Sequence, residues 1–90
     1  MYAYTAETGH TMDFATVAAT NEDIARDMAR RSFAESNDGR TAREVRATYS
    51  VIDHGPTATG AIRFTVTTAD GTDTLTVFVG ARDEIDALVW

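Results

Sequence analysis

The 90-residue sequence contains no cysteine and no lysine. Without cysteine, neither a disulfide nor a thiolate metal site can hold the fold together. All eight basic residues are arginine, a bias that favours a GC-rich host. No apolar run approaches the roughly 20 residues of a membrane span, and the first five residues lack the basic start and apolar stretch of a secretory signal. We therefore expect a cytoplasmic protein with no membrane partner.

The patterns of common catalytic and cofactor sites are also missing. The two histidines, His10 and His54, have no metal-ligand spacing around them. There is no glycine-rich phosphate loop, and no serine stands in a glycine elbow beside a base. The sequence therefore predicts no enzyme, no metal and no cofactor. A less favoured hypothesis is a small-ligand site or enzyme beside His54 and the loop 55–60.

The residues that are present describe one acidic globular domain. Hydrophobic residues make up 43% of the chain, and fourteen acids against eight bases give a net charge of −6. A chain of this length supports one core. Its negative charge disfavours direct binding to nucleic acid and favours a basic protein surface as partner.

Four segments follow from the local patterns. Residues 2–19 read as a hairpin in which Gly9-His10 suits a two-residue turn. Phe14 and Val17 have opposite parity, so a bulge or a longer loop is the alternative and the register stays open. Residues 20–36 read as a helix, 44–80 as a meander of strands, and 81–90 as a tail. In the tail, a short helical turn is expected to bring Ile85, Leu88 and Trp90 onto the body of the domain.

The helix has the strongest signals. Thr20 is a suitable N-cap, and Asp23 completes a capping-box pattern. Asn37-Asp38-Gly39 is expected to end the helix. Oppositely charged residues three and four positions apart predict a solvated, ion-paired helix face instead of a nucleic-acid patch. An apolar stripe of Ile24, Ala25, Met28 and Ala29 faces the core.

A turn within the meander predicts the register of its last two strands. A strand over 44–53 and a loop over 54–60 precede two strands, 61–68 and 73–80, which Asp70-Gly71 joins. The turn pairs Val66 with Leu75, Phe64 with Val77 and Ile62 with Val79, with all six side chains on one face. The predicted fold is α+β: an antiparallel sheet of about five strands (β-β-α-β-β-β) packed on one face by a single helix.

The face assigned to solvent also carries apolar residues. Ile52 and Phe78 lie there, and Met12 and Phe14 join them if the hairpin turn has two residues. Such residues anchor a protein partner or a second copy of the chain. Alternatively, the C-terminal segment folds back and buries them within the monomer.

Acidic residues cluster at the hairpin tip and in the tail. One hypothesis is that these clusters dock on a basic, nucleic-acid-binding protein surface, and the alternative is that they only keep the domain in solution. The candidate partner-binding residues are Ile52, Arg63, Phe78 and Trp90, with the acids Asp70, Asp73, Asp83, Glu84 and Asp86.

The hairpin that leads into the capped helix through residues 17–25, followed by a meander, resembles the layout of some anti-CRISPR proteins of phages and mobile elements. The resemblance covers architecture and size over most of the chain and transfers no family residue. It implies a domain without an active site whose acidic surface blocks a nucleic-acid channel. The same opening is similar to that of small antitoxin domains. We expect a non-enzymatic protein-binding module of the inhibitor type, the alternative being a structural homo-oligomer joined through the open sheet face.

Overall fold

A computed structural model describes residues 1–14, 20–33, 49–69, 71 and 73–89. Five strands and two helices lie within these residues. In chain order they are β1 (Tyr2–Thr5), β2 (His10–Asp13), α1 (Asn21–Ser32), β3 (Ser50–Pro56), β4 (Ile62–Thr67), β5 (Thr74–Gly80) and α2 (Arg82–Val89).

The strands form one antiparallel sheet in the order β2-β1-β5-β4-β3. Helix α1 packs on one face of this sheet, which confirms the predicted α+β class. The β4–β5 register is also confirmed, because Val66 pairs with Leu75, and Phe64 with Val77. The core forms where alternating apolar side chains of β1, β4 and β5 meet the apolar stripe of α1: Ala3, Phe64, Val66, Leu75, Val77 and Val79 pack against Ile24, Ala25, Met28 and Ala29, and Phe14 and Tyr49 join the same cluster.

Helix α1 begins as predicted and ends earlier than predicted. The Thr20 hydroxyl accepts a hydrogen bond of 3.1 Å from the Asp23 backbone N–H, which satisfies one of the free donors of the first turn. The last helical residue is Ser32, and Phe33 is the C-cap, where its N–H donates to the Ala29 carbonyl. The predicted stop at residues 37–39 lies outside the described residues.

The first hairpin has the longer loop that the sequence left open, and not the two-residue turn. Thr5 pairs with His10, so a four-residue loop joins β1 and β2. Gly9 closes this loop with φ +72°, a conformation that favours glycine, and its N–H donates to the Thr5 carbonyl. Strand β2 ends at Asp13, and residues 15–19 lie outside the described part of the chain.

The same hairpin places Met12 and Phe14 on the core face of the sheet, whereas the sequence suggested the solvent-facing side for them. Met12 pairs with Ala3, which lies in the core beneath α1. Phe14, two residues further on, is buried in the same cluster. Because residues two apart in an extended chain share a face, neither belongs to the solvent-facing side of the sheet.

Strand β3 extends further towards its C-terminus than predicted. The predicted loop begins at His54, yet pairing with β4 continues to Pro56. The register shifts between Asp53 and Pro56, so that a bulge absorbs the extra residue. Gly55 has φ +81° in this bulge, and its N–H donates to Asp53 Oδ1 at 2.7 Å. The N-terminal part of the predicted strand, 44–48, lies outside the described residues.

The tail forms a second helix, α2, on the sheet face opposite α1. We call this side the second face. Gly80 pairs with Tyr2, and directly opposed residues share a face. The Arg82 guanidinium lies 5.4 Å from the Tyr2 ring centroid, and a Cβ on Gly80 would stand 2.8 Å from Glu84 Oε1. Helix α2 therefore contacts β1 and β5 from the second face, where the sequence predicted only a short helical turn.

Candidate partner-binding face

The second face consists of two halves that differ in what lies above them. The covered half, below α2, lies on the central strands β1 and β5. The other half, which we call uncovered because no described helix contacts it, lies on β3, β4 and the N-terminal part of β5. The side chains of the covered half are Tyr2, Tyr4 and Phe78, and those of the uncovered half are Ser50, Ile52, His54, Thr65, Thr67 and Thr74.

Aromatic and aliphatic side chains pack together in the covered half. The Tyr4 and Phe78 rings lie 6.2 Å apart at a tilt of 31°, and both side chains are half-buried. Ile85 of α2 is fully buried, yet it is not part of the core cluster beneath α1. Helix α2 contacts β1 and β5, the two strands that carry these rings.

Arg82 holds the start of α2 against Tyr2. A side-chain hydrogen bond with Tyr2, together with the nearby Asp86 carboxylate, raises the pKa of the Arg82 guanidinium above its ordinary value. Arg82 Nε lies 3.3 Å from Asp86 Oδ2, one helical turn away. Arg82 therefore stays charged throughout the usual pH range, with one acid of the tail as its local partner.

Ile52 stands in the uncovered half among hydroxyl groups. It is 57% exposed, in contrast to the buried apolar residues of β4 and β5 on the core face. Its cross-strand neighbour is Thr65, whose hydroxyl lies 2.6 Å from His54 Nε2. The Thr67 and Thr74 hydroxyls lie 3.4 Å apart on the adjacent strands. The result is a polar surface with one large apolar side chain at its edge.

Arg63 marks the boundary between the two halves. It pairs across the strands with Phe78 and is exposed. Among the described residues it forms no ion pair. Arg63 therefore presents a positive charge beside the aromatic pair on an otherwise acidic protein.

The acidic candidates of the tail are engaged in starting α2. Glu84 Oε1 accepts a hydrogen bond of 2.7 Å from the Ala81 N–H, and Asp83 Oδ1 accepts one of 3.0 Å from the Glu84 N–H. Carboxylates in the first turn also complement the positive end of the helix dipole. Asp73 is exposed at the hairpin, where its N–H donates to Thr68 Oγ1. Asp70 and Trp90 lie outside the described residues.

Three of the ion pairs predicted for the helix are present, and the fourth, Arg31 with Glu35, lies outside the described residues. Arg26 Nη1 lies 3.4 Å from Glu22 Oε2, and Asp27 receives both Arg30, at 2.9 Å, and Arg31, at 3.4 Å. These arginines therefore have acidic neighbours on their own helix.

Sequence analysis missed Glu7, which closes a gap in the sheet. Strand β1 ends at Thr5, opposite Val77 of β5. The N–H of the adjacent β5 residue, Thr76, points to the side of β1 but lies beyond the end of that strand. It therefore has no partner in β1. Glu7 Oε1 accepts this hydrogen bond at 2.7 Å. The contact spans 69 residues of sequence, and no local pattern could have predicted it.

The hypothesis of a ligand site beside the loop 55–60 gains no support. A cavity of about 400 Å³ lies elsewhere, between β2 and α1, and none of its lining residues comes from this loop. Over the described ranges, no three His, Asp or Glu side chains come close enough to hold a metal ion. That the chain is not an enzyme and holds no metal or cofactor stays a prediction.

The fold and the second face define a small α+β domain in which α1 packs on one side of the sheet and α2 packs on β1 and β5 on the other. Comparisons with protein-family models, with curated proteins and with solved structures give no match for this chain. Neither helix is long and apolar enough to cross a membrane within the part of the chain that the structure describes.

Proposed function

We propose that the chain is a non-enzymatic protein-binding module whose β3 edge pairs with an extended segment of a basic partner protein. The observation that supports this most directly is the 57% exposure of Ile52 on an edge strand of the sheet. Partners that add a strand to a sheet gain affinity from main-chain hydrogen bonds and specificity from alternate side chains. Ile52 is such a side chain, since it projects beside the outer edge.

The backbone of β3 offers the hydrogen-bonding groups that this mode requires. Thr68 N–H donates to the Asp73 carbonyl, so the backbone groups of Thr68 point towards β5. Because backbone groups alternate in direction along a strand, those of Thr65 and Thr67 point towards β3. These two pair with Ile52 and Ser50. The intervening residues of β3, Val51 and Asp53, therefore point their backbone groups away from the sheet, where no described strand pairs with them.

An open edge of this kind is usually blocked in monomeric proteins, because it promotes pairing with other chains. The chain blocks the comparable gap on β5 with Glu7. Among the described residues no equivalent contact satisfies the outward groups of Val51 and Asp53. The contrast supports β3 as the edge that is kept open for a partner.

The charge of the module favours a basic partner. The net charge is −6, and the exposed Asp53 lies on the open edge itself. Attraction between opposite surface charges speeds association and fixes orientation, and it weakens as salt rises. If the partner's basic segment otherwise binds nucleic acid, its capture makes the module an inhibitor, which is the activity that the anti-CRISPR-like layout implies.

The experiment compares two aspartate substitutions at opposite edges of the sheet. Ile52→Asp places a charge in the proposed contact, whereas Thr11→Asp places the same charge on the second face of β2, at the far edge. Each immobilised variant and the wild type are used to capture partners from host extract, and bound proteins are quantified. We expect a basic protein on the wild type and on Thr11→Asp, reduced at least about tenfold on Ile52→Asp, as for a central contact residue.

Equal capture by Ile52→Asp would contradict the proposed surface, and an acidic captured protein would contradict the proposed partner class. Circular dichroism spectra verify that both variants are folded. Reversing Asp83 and Glu84 is the less suitable test, because Glu84 caps the Ala81 N–H and its loss would disturb α2.

A homodimer through the same edge is the second candidate function. The open edge of β3 suits it, because two antiparallel copies of the strand bring the two Ile52 side chains together around a two-fold axis. Repulsion between two molecules of charge −6 opposes it at low salt. Light scattering coupled to size exclusion at low and at molar salt distinguishes this candidate, since a dimer at molar salt supports it and a monomer at both removes it.

A further inference from the structure

The cavity between β2 and α1 lies on the other side of the sheet from the proposed partner surface. Its volume is about 400 Å³, within the roughly 300–1,000 Å³ range of small-molecule pockets. The hairpin loop and β2 form one wall, and the C-terminal half of α1 forms the other. The lining residues are Gly9, His10, Thr11, Met12, Met28, Arg31 and Ser32.

The polar side of the cavity carries positive and hydrogen-bonding groups. Arg31 uses Nε to contact Asp27 at 3.4 Å, and its guanidinium lies 5.6 Å from the Phe14 ring centroid. Its two Nη groups have no partner among the described residues. His10 lines the hairpin wall and Arg31 the helix wall, so the described residues of the lining include an arginine and a histidine but no acid.

The remaining wall is apolar and adaptable. Met28 is buried and Met12 is half-buried, and both side chains are unbranched, so they can adjust to an apolar ligand. An arginine with free Nη groups matches the two oxygens of a carboxylate. We propose that this cavity binds a small monocarboxylate with an aliphatic tail, which places its carboxylate on Arg31 and its tail against Met12 and Met28.

The test follows methionine methyl groups by NMR during titration with octanoate. The chain has three methionines, and Met1, 45% exposed at the N-terminus, does not line the cavity and is an internal control. We expect the Met12 and Met28 signals to shift with saturation at millimolar octanoate, and the Met1 signal to stay in place. Octanol, which lacks the carboxylate, should bind more weakly. No shift at Met12 and Met28, or equal affinity for octanol, would overturn the proposal.

Two matched variants assign the carboxylate contact. Arg31→Gln removes the cavity arginine, whereas Arg30→Gln removes its neighbour, which also pairs with Asp27 but does not line the cavity. We expect octanoate affinity to fall about tenfold in Arg31→Gln, the loss of a charge-assisted hydrogen bond, and to be unchanged in Arg30→Gln. Equal affinity in the two variants would overturn the assignment.

Discussion

The two halves of the second face have the same alternation of side chains along their strands, but their apolar side chains differ in burial. In one half, Phe78 and Tyr4 are half-buried beside the fully buried Ile85 of α2. In the other half, Ile52 is 57% exposed among threonine and serine side chains. An apolar residue on the nominal solvent side of a sheet can therefore belong to the monomer's own core or stand free for a partner. The strand pattern alone does not distinguish the two cases.

The residues that determine which half α2 covers are not part of the alternating strand pattern. Gly80 and Gly60 lack side chains where Glu84 approaches, so the first turn of α2 can sit against the end of β5. A Cβ at Gly80 would also stand 3.1 Å from the Ala61 backbone. The β3 half has no comparable helix among the described elements. Space left by two glycines, and the acids that start a helix just after β5, thus determine which half is covered.

The largest expected effect comes from truncating the two isoleucines. Ile85→Ala should lower the free energy of unfolding by about 2–5 kcal/mol, because it leaves a cavity under α2. Ile52→Ala should change it by no more than about 0.5 kcal/mol, since the side chain is mostly exposed. Urea unfolding of both variants measures the difference. Equal losses would remove the distinction between the covered and the uncovered half.

A smaller effect is expected from filling the space beneath α2. Gly80→Ala should lower the free energy of unfolding by about 1–3 kcal/mol, because the new methyl group meets Glu84 and the Ala61 backbone. Adding Glu84→Ala should not restore the wild-type value, since the contact with Ala61 remains and the cap on Ala81 is lost. The same urea measurement applies. A Gly80→Ala variant as stable as the wild type would show that α2 does not need this space.

Local chemistry in the sequence predicted the β4–β5 hairpin and the start of α1. In both places two independent signals agree: the Asp70-Gly71 turn with the pairing of Val66 and Leu75, and the Thr20 cap with the apolar stripe that follows. Strand alternation also places Ile52 on the second face, although it does not determine how exposed the side chain is. The fold class could therefore be predicted from short-range patterns in the sequence.

Features that depend on loop length or on distant contacts were not predictable. The four-residue loop of the first hairpin, closed by Gly9, placed Met12 and Phe14 in the core. The bulge at Gly55 extended β3 beyond the expected loop. The Glu7 contact with Thr76 joins residues far apart in the chain. The β2–α1 cavity likewise needs the packing of the hairpin against α1, and no motif signals it.

Amide hydrogen exchange along β3 tests the central claim most directly, because it reads the open edge without any partner. In the free protein, the amides of Val51 and Asp53 should exchange rapidly, since they point outward. The amide of Ile52 between them should be protected through its pairing with Thr65. This fast–slow–fast pattern is the predicted result. Uniform protection across residues 51–53 would mean that the edge is already occupied, and would contradict the account of β3 as the surface kept for a partner.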